Sequence, residues 1–289
     1  MLRVLAVVQT VLIAASLCAA PAGAAELSGT LKRIKERGAI VIGYPKDAYP
    51  VAFEEENGNA NGYAIDLCRE IAKDAGKALG MEPLAVLYVP VTLDGRFDAV
   101  ASGAVDIECG TSTMTLSRMQ KVDFTNMTFV DGGSLLVKKG SAIRNVVSLV
   151  DETVAVIPGT TTERALKSAL AKSYVNAKIA QVKDHAEGIA AVESGKVSAY
   201  ASDRIILVGL LAKSKSAATL TLAEAQFSYE PYGFMIRRGD SDFRLVANRA
   251  LARVYGSPDI ATIFGKWFGA LGKPGDVLVL MFALNALPE

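Results

Sequence analysis

The residues with the greatest chemical capacity fall in one run, Glu108-Cys109-Gly110-Thr111-Ser112-Thr113-Met114-Thr115-Leu116-Ser117-Arg118. It follows an apolar stretch that reads as a strand, carries five hydroxyl side chains and places an arginine at the predicted start of a short helix. Free backbone N–H groups at a helix start and a guanidinium can converge on one anion. The same residue types also cap helices and decorate surfaces, so spacing alone leaves both readings open. Thr160 and Glu163 have capping-box spacing after an apolar stretch at residues 153–157, which turns the N–H groups of residues 160–162 outward. That is either a second anion site or an ordinary helix cap. Asp184 and Glu187 repeat the spacing and put His185 in a first turn. There the positive end of the helix dipole disfavours imidazolium, so His185 should be mostly neutral and able to donate a hydrogen bond, although a surface histidine fits as well. Asp203, just after a predicted strand, either neutralises an ammonium or caps the following helix.

Other chemistries lack their residues. The chain has one histidine and no Cys/His or multi-carboxylate cluster at ligand spacing, so neither a zinc nor a calcium site is expected. No Walker loop, dinucleotide fingerprint or nucleophile elbow occurs. No cofactor, metal or catalytic residue is therefore expected.

The elements that must hold these residues alternate strand and helix. A strand at residues 39–43 leads through a loop with Pro45 and Pro50 to an amphipathic helix with Ile65, Cys68, Ile71, Ala72, Ala75 and Leu79 at three- and four-residue spacings. Strands at 85–89 and 105–108 follow, separated by a short helix. The grammar restarts after Lys138-Lys139-Gly140: strand 153–157, helix to 171, strand 175–181, helix 185–194 and strand 198–201. This is the pattern of two α/β units with mostly parallel sheets. A strand at 233–237 and two late helices have no partner strands of their own, so they are expected to complete the first unit. The chain then crosses between units twice, near residues 131–135 and 229–234, which makes a hinge and a cleft.

Residues 1–25 read as a secretory leader: a basic start at Arg3, an apolar run over 4–20, and the small residues Ala22-Gly23-Ala24-Ala25, with cleavage expected near Ala24 or Ala25. A retained signal anchor is the rival reading. Leu17 is too large for the position before a lipidated Cys18. Beyond the leader no stretch reaches the roughly 18 apolar residues of a membrane span, and residues 277–287 are too short, so a soluble, periplasmic protein is expected. Removing Arg3 leaves 31 − 1 = 30 basic against 30 acidic residues, which suggests neither nucleic acid nor an anionic membrane as partner. Cys68 lies on an apolar helix face and Cys109 ends a strand; two separately buried thiols are expected rather than a disulfide.

Together these pieces resemble the periplasmic polar-amino-acid-binding proteins of ABC importers (family 3 solute-binding proteins), and most closely their glutamate/aspartate branch. The likeness rests on the order of Asn61-Gly62-Tyr63-Ala64-Ile65-Asp66-Leu67-Cys68, the E-C-G-T-S-T run with Arg118, the G-T-T-T-E turn, K-D-H, E-S-G, Y-G-F-M and the late K-W-F. It implies a two-lobe α/β periplasmic-binding-protein fold (type II), with residues 26–133 and 235–289 in lobe 1 and 134–234 in lobe 2, and a monomer partnered by a membrane permease. It also implies that Arg118 grips the ligand α-carboxylate with backbone N–H groups at Thr113 and Thr161. By the same resemblance Asp203 takes the α-ammonium with oxygens around Thr111 and Thr113, and Arg96, Thr111 and His185 face an acidic side chain. Pro45 and Leu93 depart from that branch, where an arginine and a small hydroxyl residue are usual, and make the pocket less cationic. Phe234 replaces a cysteine of the pattern, which would leave Cys109 without that partner. Two alternatives are a cyclohexadienyl dehydratase-like enzyme on the same fold and a ligand sensor domain.

Overall fold

The computed structural model describes residues 27–214 and 217–288. The predicted leader and its cleavage point lie outside the described residues.

Two five-stranded sheets carry the fold. In the first, Ala85–Pro90, Ala39–Tyr44, Ile107–Glu108, Glu230–Arg237 and Val122–Asp131 lie side by side in that order. In the second the order is Lys178–Gln181, Thr153–Val156, Ala199–Asp203, Gly133–Lys138 and Leu220–Leu222. Both have the same pattern of directions, two parallel pairings followed by two antiparallel ones. In each sheet the reversed strand is the one that enters from the other lobe: Gly133–Lys138 directly after Val122–Asp131, and Glu230–Arg237 after Leu220–Leu222. A chain arriving from the far side of a cleft must run against the strands that point toward it. This is a two-lobe α/β fold.

Each helix is set by its pattern. Tyr63–Leu79 buries Ile65, Leu67, Cys68, Ile71, Ala72 and Ala75 and stops at Gly80, whose φ of 65° is the left-handed conformation that glycine adopts without a Cβ penalty. Ser241–Tyr255 starts at Asp240, whose carboxylate accepts from Phe243 N, and packs Phe243, Ala247, Leu251 and Val254 into the same core. Asp259–Phe268 and Asp276–Asn285 add Phe268, Leu278, Met281 and Phe282 to it. The second lobe has two smaller cores, one on each face of its sheet strands, around Leu135, Val154 and Leu166 and around Leu136, Ala155 and Tyr200. No helix among the described residues is long and apolar enough to cross a membrane.

One expectation is overturned. Cys68 and Cys109 are joined in a disulfide. The inner face of Tyr63–Leu79 lies across the end of Ile107–Glu108, so two residues 41 apart in sequence have Cα atoms 6.5 Å apart. The cysteine at the Phe234 position is not needed. The return strand is also longer than its apolar run at 233–237, beginning at Glu230. The long strands on either side of Gly132 left no clear periodic signal.

The lobes touch beside the cleft. Gly209, on helix Arg204–Lys213, faces the first lobe so closely that a Cβ there would stand 2.2 Å from the Tyr49 carbonyl. Only glycine permits that approach.

Candidate functional site

Seven of the eight residues singled out from sequence, Leu93, Arg96, Thr111, Arg118, Thr161, His185 and Asp203, line one cavity between the lobes. The eighth, Thr113, borders it: its hydroxyl lies 3.2 Å from that of Thr161, across the cleft.

The first lobe supplies cations. Arg96 opens helix Arg96–Ser102 and is only 5% exposed, yet its Nε and Nη1 have no hydrogen-bond partner. Arg118 starts a single turn of 3₁₀ helix, Arg118–Gln120. Its Nη1 donates to the Thr113 carbonyl at 2.8 Å. Both guanidiniums lie near the Phe97 ring, 5.5 Å and 5.2 Å from its centroid. Burial, with Arg96 and Arg164 nearby, draws the Arg118 guanidinium down to about 10. It stays charged at neutral pH, and an entering anion would restore interaction that burial removed. Glu108 lies within the field of both arginines, fully buried; Ser112 Oγ donates to its Oε2 at 2.7 Å, while Oε1 is unpartnered. Burial pushes its carboxyl up, and Arg96, Ser112 and Arg118 oppose that.

The second lobe supplies helix starts and one carboxylate. Thr160 caps helix Thr161–Lys172 by accepting from Glu163 N at 3.0 Å, and Glu163 reaches back to Gly159 N at 2.8 Å. Thr160 thus caps the helix, but Glu163 reaches one residue past the N–H that a capping box uses, and the helix start lies at the cavity. Asp184 caps His185–Ser194 in the same way. His185 is 8% exposed, and its Nδ1 lies 2.7 Å from the Tyr200 hydroxyl. Burial lowers the His185 imidazole, against Asp47, Asp203 and Asp184, which favours its neutral form. Asp203 precedes helix Arg204–Lys213 but makes no cap bond to it. Its carboxylate instead accepts from Thr162 Oγ1 at 2.6 Å and from the Tyr232 hydroxyl.

Other residues close the site without having been singled out. Glu230 is buried, accepting from Thr113 Oγ1 at 2.7 Å and Ser228 Oγ at 2.8 Å. A carboxylate leading into an otherwise apolar strand was the available signal. Tyr200, Ser202 and Ile206 line the wall near Asp203, and Ile157 faces Leu93. Beyond Leu93 and Ile157 an adjoining groove is lined by Pro45, Lys46, Asp47 and Lys183, which puts Pro45 outside the main cavity. No cluster of three or more histidine, cysteine or acidic residues suited to a metal ion occurs among the described residues.

The arrangement is that of a pocket lined by two guanidiniums, a carboxylate and neutral hydrogen-bonding groups. The chain is 37% identical over 257 residues to the L-glutamate/L-aspartate-binding protein of Pseudomonas aeruginosa, covering 89% of this chain and 85% of that protein. It is 31% identical over 256 residues to the glutamate/aspartate import solute-binding protein of Escherichia coli K12, with the same coverage, 89% and 85%. Among solved structures it is similar to the ancestral amino acid-binding protein AncCDT-1, a precursor of cyclohexadienyl dehydratase, with a TM-score of 0.72, 33% identity and coverage of 83% of this chain and 100% of that one. With the family model matched over residues 40–270, the chain belongs to the bacterial extracellular solute-binding proteins, family 3.

Proposed function

We propose that this protein is the periplasmic binding component of an ABC importer and takes a polar amino acid of the glutamate/aspartate class. The observation that carries the reading is charge placement: Arg96, buried with unpaired donors, the partly buried Arg118 and the carboxylate of Asp203 all line one cavity. A zwitterion with a second anionic group complements that field, and each of its charges meets a desolvated partner.

In this reading Arg118 and the backbone N–H groups of Thr113 and Thr161 hold the α-carboxylate. Asp203 takes the α-ammonium with the Thr111 and Thr113 oxygens. Arg96, Thr111 and His185 face the side-chain oxygens, while Leu93 supplies an apolar wall. Lobe closure about the passages at residues 131–133 and 223–230 buries the ligand, and the closed monomer, freed of residues 1–25, is the form the membrane permease accepts. The curated relatives named above are binding proteins, which supports a receptor over an enzyme.

A thermal-shift screen of residues 26–289 against the common amino acids tests the proposal. Glutamate or aspartate should raise the melting temperature most, because a ligand bound only to the folded state stabilises it. Preference for leucine-like or basic ligands would overturn the acidic assignment. Conversion of a prephenate-like acid would overturn the receptor reading itself.

A further inference from the structure

The ammonium end of the cavity continues into the hinge. The fully buried Tyr232 hydroxyl donates to Asp203 and lies 3.3 Å from Asp131 Oδ2. A phenol has one proton and can satisfy only one of the two carboxylates. Asp131 is the last residue of strand Val122–Asp131 in the first lobe, and it accepts at 2.9 Å from the N–H of Ile205 in the second. Asp203 ends strand Ala199–Asp203. The pair therefore spans the first passage between the lobes.

The surrounding charges do not neutralise the pair. Arg204 is adjacent, but its guanidinium turns to Ser134 Oγ and the Ala223 carbonyl, 3.4 Å and 3.1 Å away. Gln226 Nε2 is 3.5 Å from Asp131, and Lys273 and Asp276 line the outer groove beside it. On the other side of the pair stand His185, Arg118 and Glu230. Among the described residues neither Asp131 nor Asp203 is in an ion pair.

We propose that Asp131 is a positioning residue of the ammonium subsite: through Tyr232 it shares a proton with Asp203, and it releases that proton when a ligand ammonium docks on Asp203. Amino-acid binding then expels about one proton at the hinge. The inference rests on the ammonium assignment made under the proposed function. Burial first, and the Asp203 charge second, push the Asp131 carboxyl up to about 7. A cation on Asp203 removes the second cause, so the Asp131 pKa falls on binding. Affinity should accordingly rise with pH up to about 7 and level off above it. For the ligand-free protein the sign is opposite. The raised folded pKa contributes stability below the unfolded value of about 4, and this is lost as pH rises through about 7.

The test is calorimetry with glutamate or aspartate at pH 6 in phosphate and imidazole buffers, whose heats of ionisation differ, joined to a carboxyl-carbon NMR titration of Asp131. Release of roughly one proton per ligand is expected at pH 6, fading above pH 8. Asp131→Asn should abolish the release at whatever affinity remains, measured at ligand concentrations that saturate the variant, and Tyr232→Phe, which removes a donor that favours the carboxylates, should move it to higher pH. Proton uptake instead of release would assign the linkage to His185 and overturn the proposal. Unchanged release in Asp131→Asn would overturn it too. If no amino acid binds, the functional reading fails, while the NMR titration still decides the shared proton: a ligand-free Asp131 pKa near 4 overturns it.

Discussion

The two lobes reach the same cavity by different means. The first delivers whole charges on long side chains, Arg96 and Arg118, desolvated beside Phe97 and Glu108. The second delivers mostly partial charges: two capped helix starts at Thr161 and His185, with Asp203 at a strand end. A buried guanidinium without a full set of partners is costly until an anion arrives. A capped helix start is already satisfied internally and merely presents N–H groups. On the proposed binding mode, the first lobe would therefore set most of the ligand's binding energy, and the second the fit and the closure of the site. The bracing follows that division. The first lobe has the larger core and the Cys68–Cys109 disulfide beneath the strand that leads into the Thr111–Arg118 loop, whereas the second has two smaller cores.

The widest separation between the lobes is expected from Arg118→Ala. Removing one partner of a desolvated charge pair costs about 3 to 5 kcal/mol. Titration calorimetry should find binding of any α-amino acid weakened beyond a hundredfold. Affinity within tenfold of wild type would sink the carboxylate assignment and, with it, the contrast drawn between the lobes.

Removing the disulfide tests bracing separately from binding. A crosslink closing a loop of this size typically contributes about 2 to 4 kcal/mol by restricting the unfolded chain. The Cys68→Ala/Cys109→Ala double variant should show that loss in urea unfolding, with ligand affinity at saturating folded fraction little changed. A large affinity loss without a stability loss would instead mean that the crosslink positions Arg118.

These two experiments probe features that differed in how they could be read from sequence. Arg118 stood out because a hydroxyl-rich run led to it from a strand, and Thr160/Glu163 and Asp184/Glu187 because capping is local, settled within four residues. The alternation of strand and helix was likewise enough to yield two α/β units. The disulfide was not legible, since it depends on how helix Tyr63–Leu79 crosses a strand 41 residues from Cys68, a distance over which no local pattern extends. Asp203 was ambiguous for the same reason. Its position before a helix suggests a cap, and only the tertiary approach of Thr162 and Tyr232 gives its carboxylate other partners. Glu230 and Asp131 escaped notice because they become site residues only where the lobes meet.

Arg96→Met separates the ends of the ligand. Loss of one charged hydrogen bond from an acidic side chain should cost about 2 kcal/mol, close to thirtyfold in affinity, and a neutral amino acid should lose far less. Competition binding of glutamate and a neutral amino acid to wild type and variant measures the difference. Equal losses would show that Arg96 acts on the common α-groups or on the fold, so that specificity for the side chain would have to come from the second lobe.

The smallest effect expected belongs to Thr160→Ala, which removes the Oγ1 acceptor at Glu163 N without touching any charge at the cavity. An N-cap lost to alanine costs about 1 kcal/mol of stability. Because the capped end of helix Thr161–Lys172 also borders the cavity, the same change should loosen the N–H groups at Thr161 and weaken binding, by less than tenfold. Urea unfolding and calorimetry on one preparation read the two quantities together. Asparagine at the same position can accept from the N–H three residues on, so Thr160→Asn should recover both. If stability returns and affinity does not, the Thr160 hydroxyl contacts the ligand itself, and the second lobe contributes more than a helix start at that point.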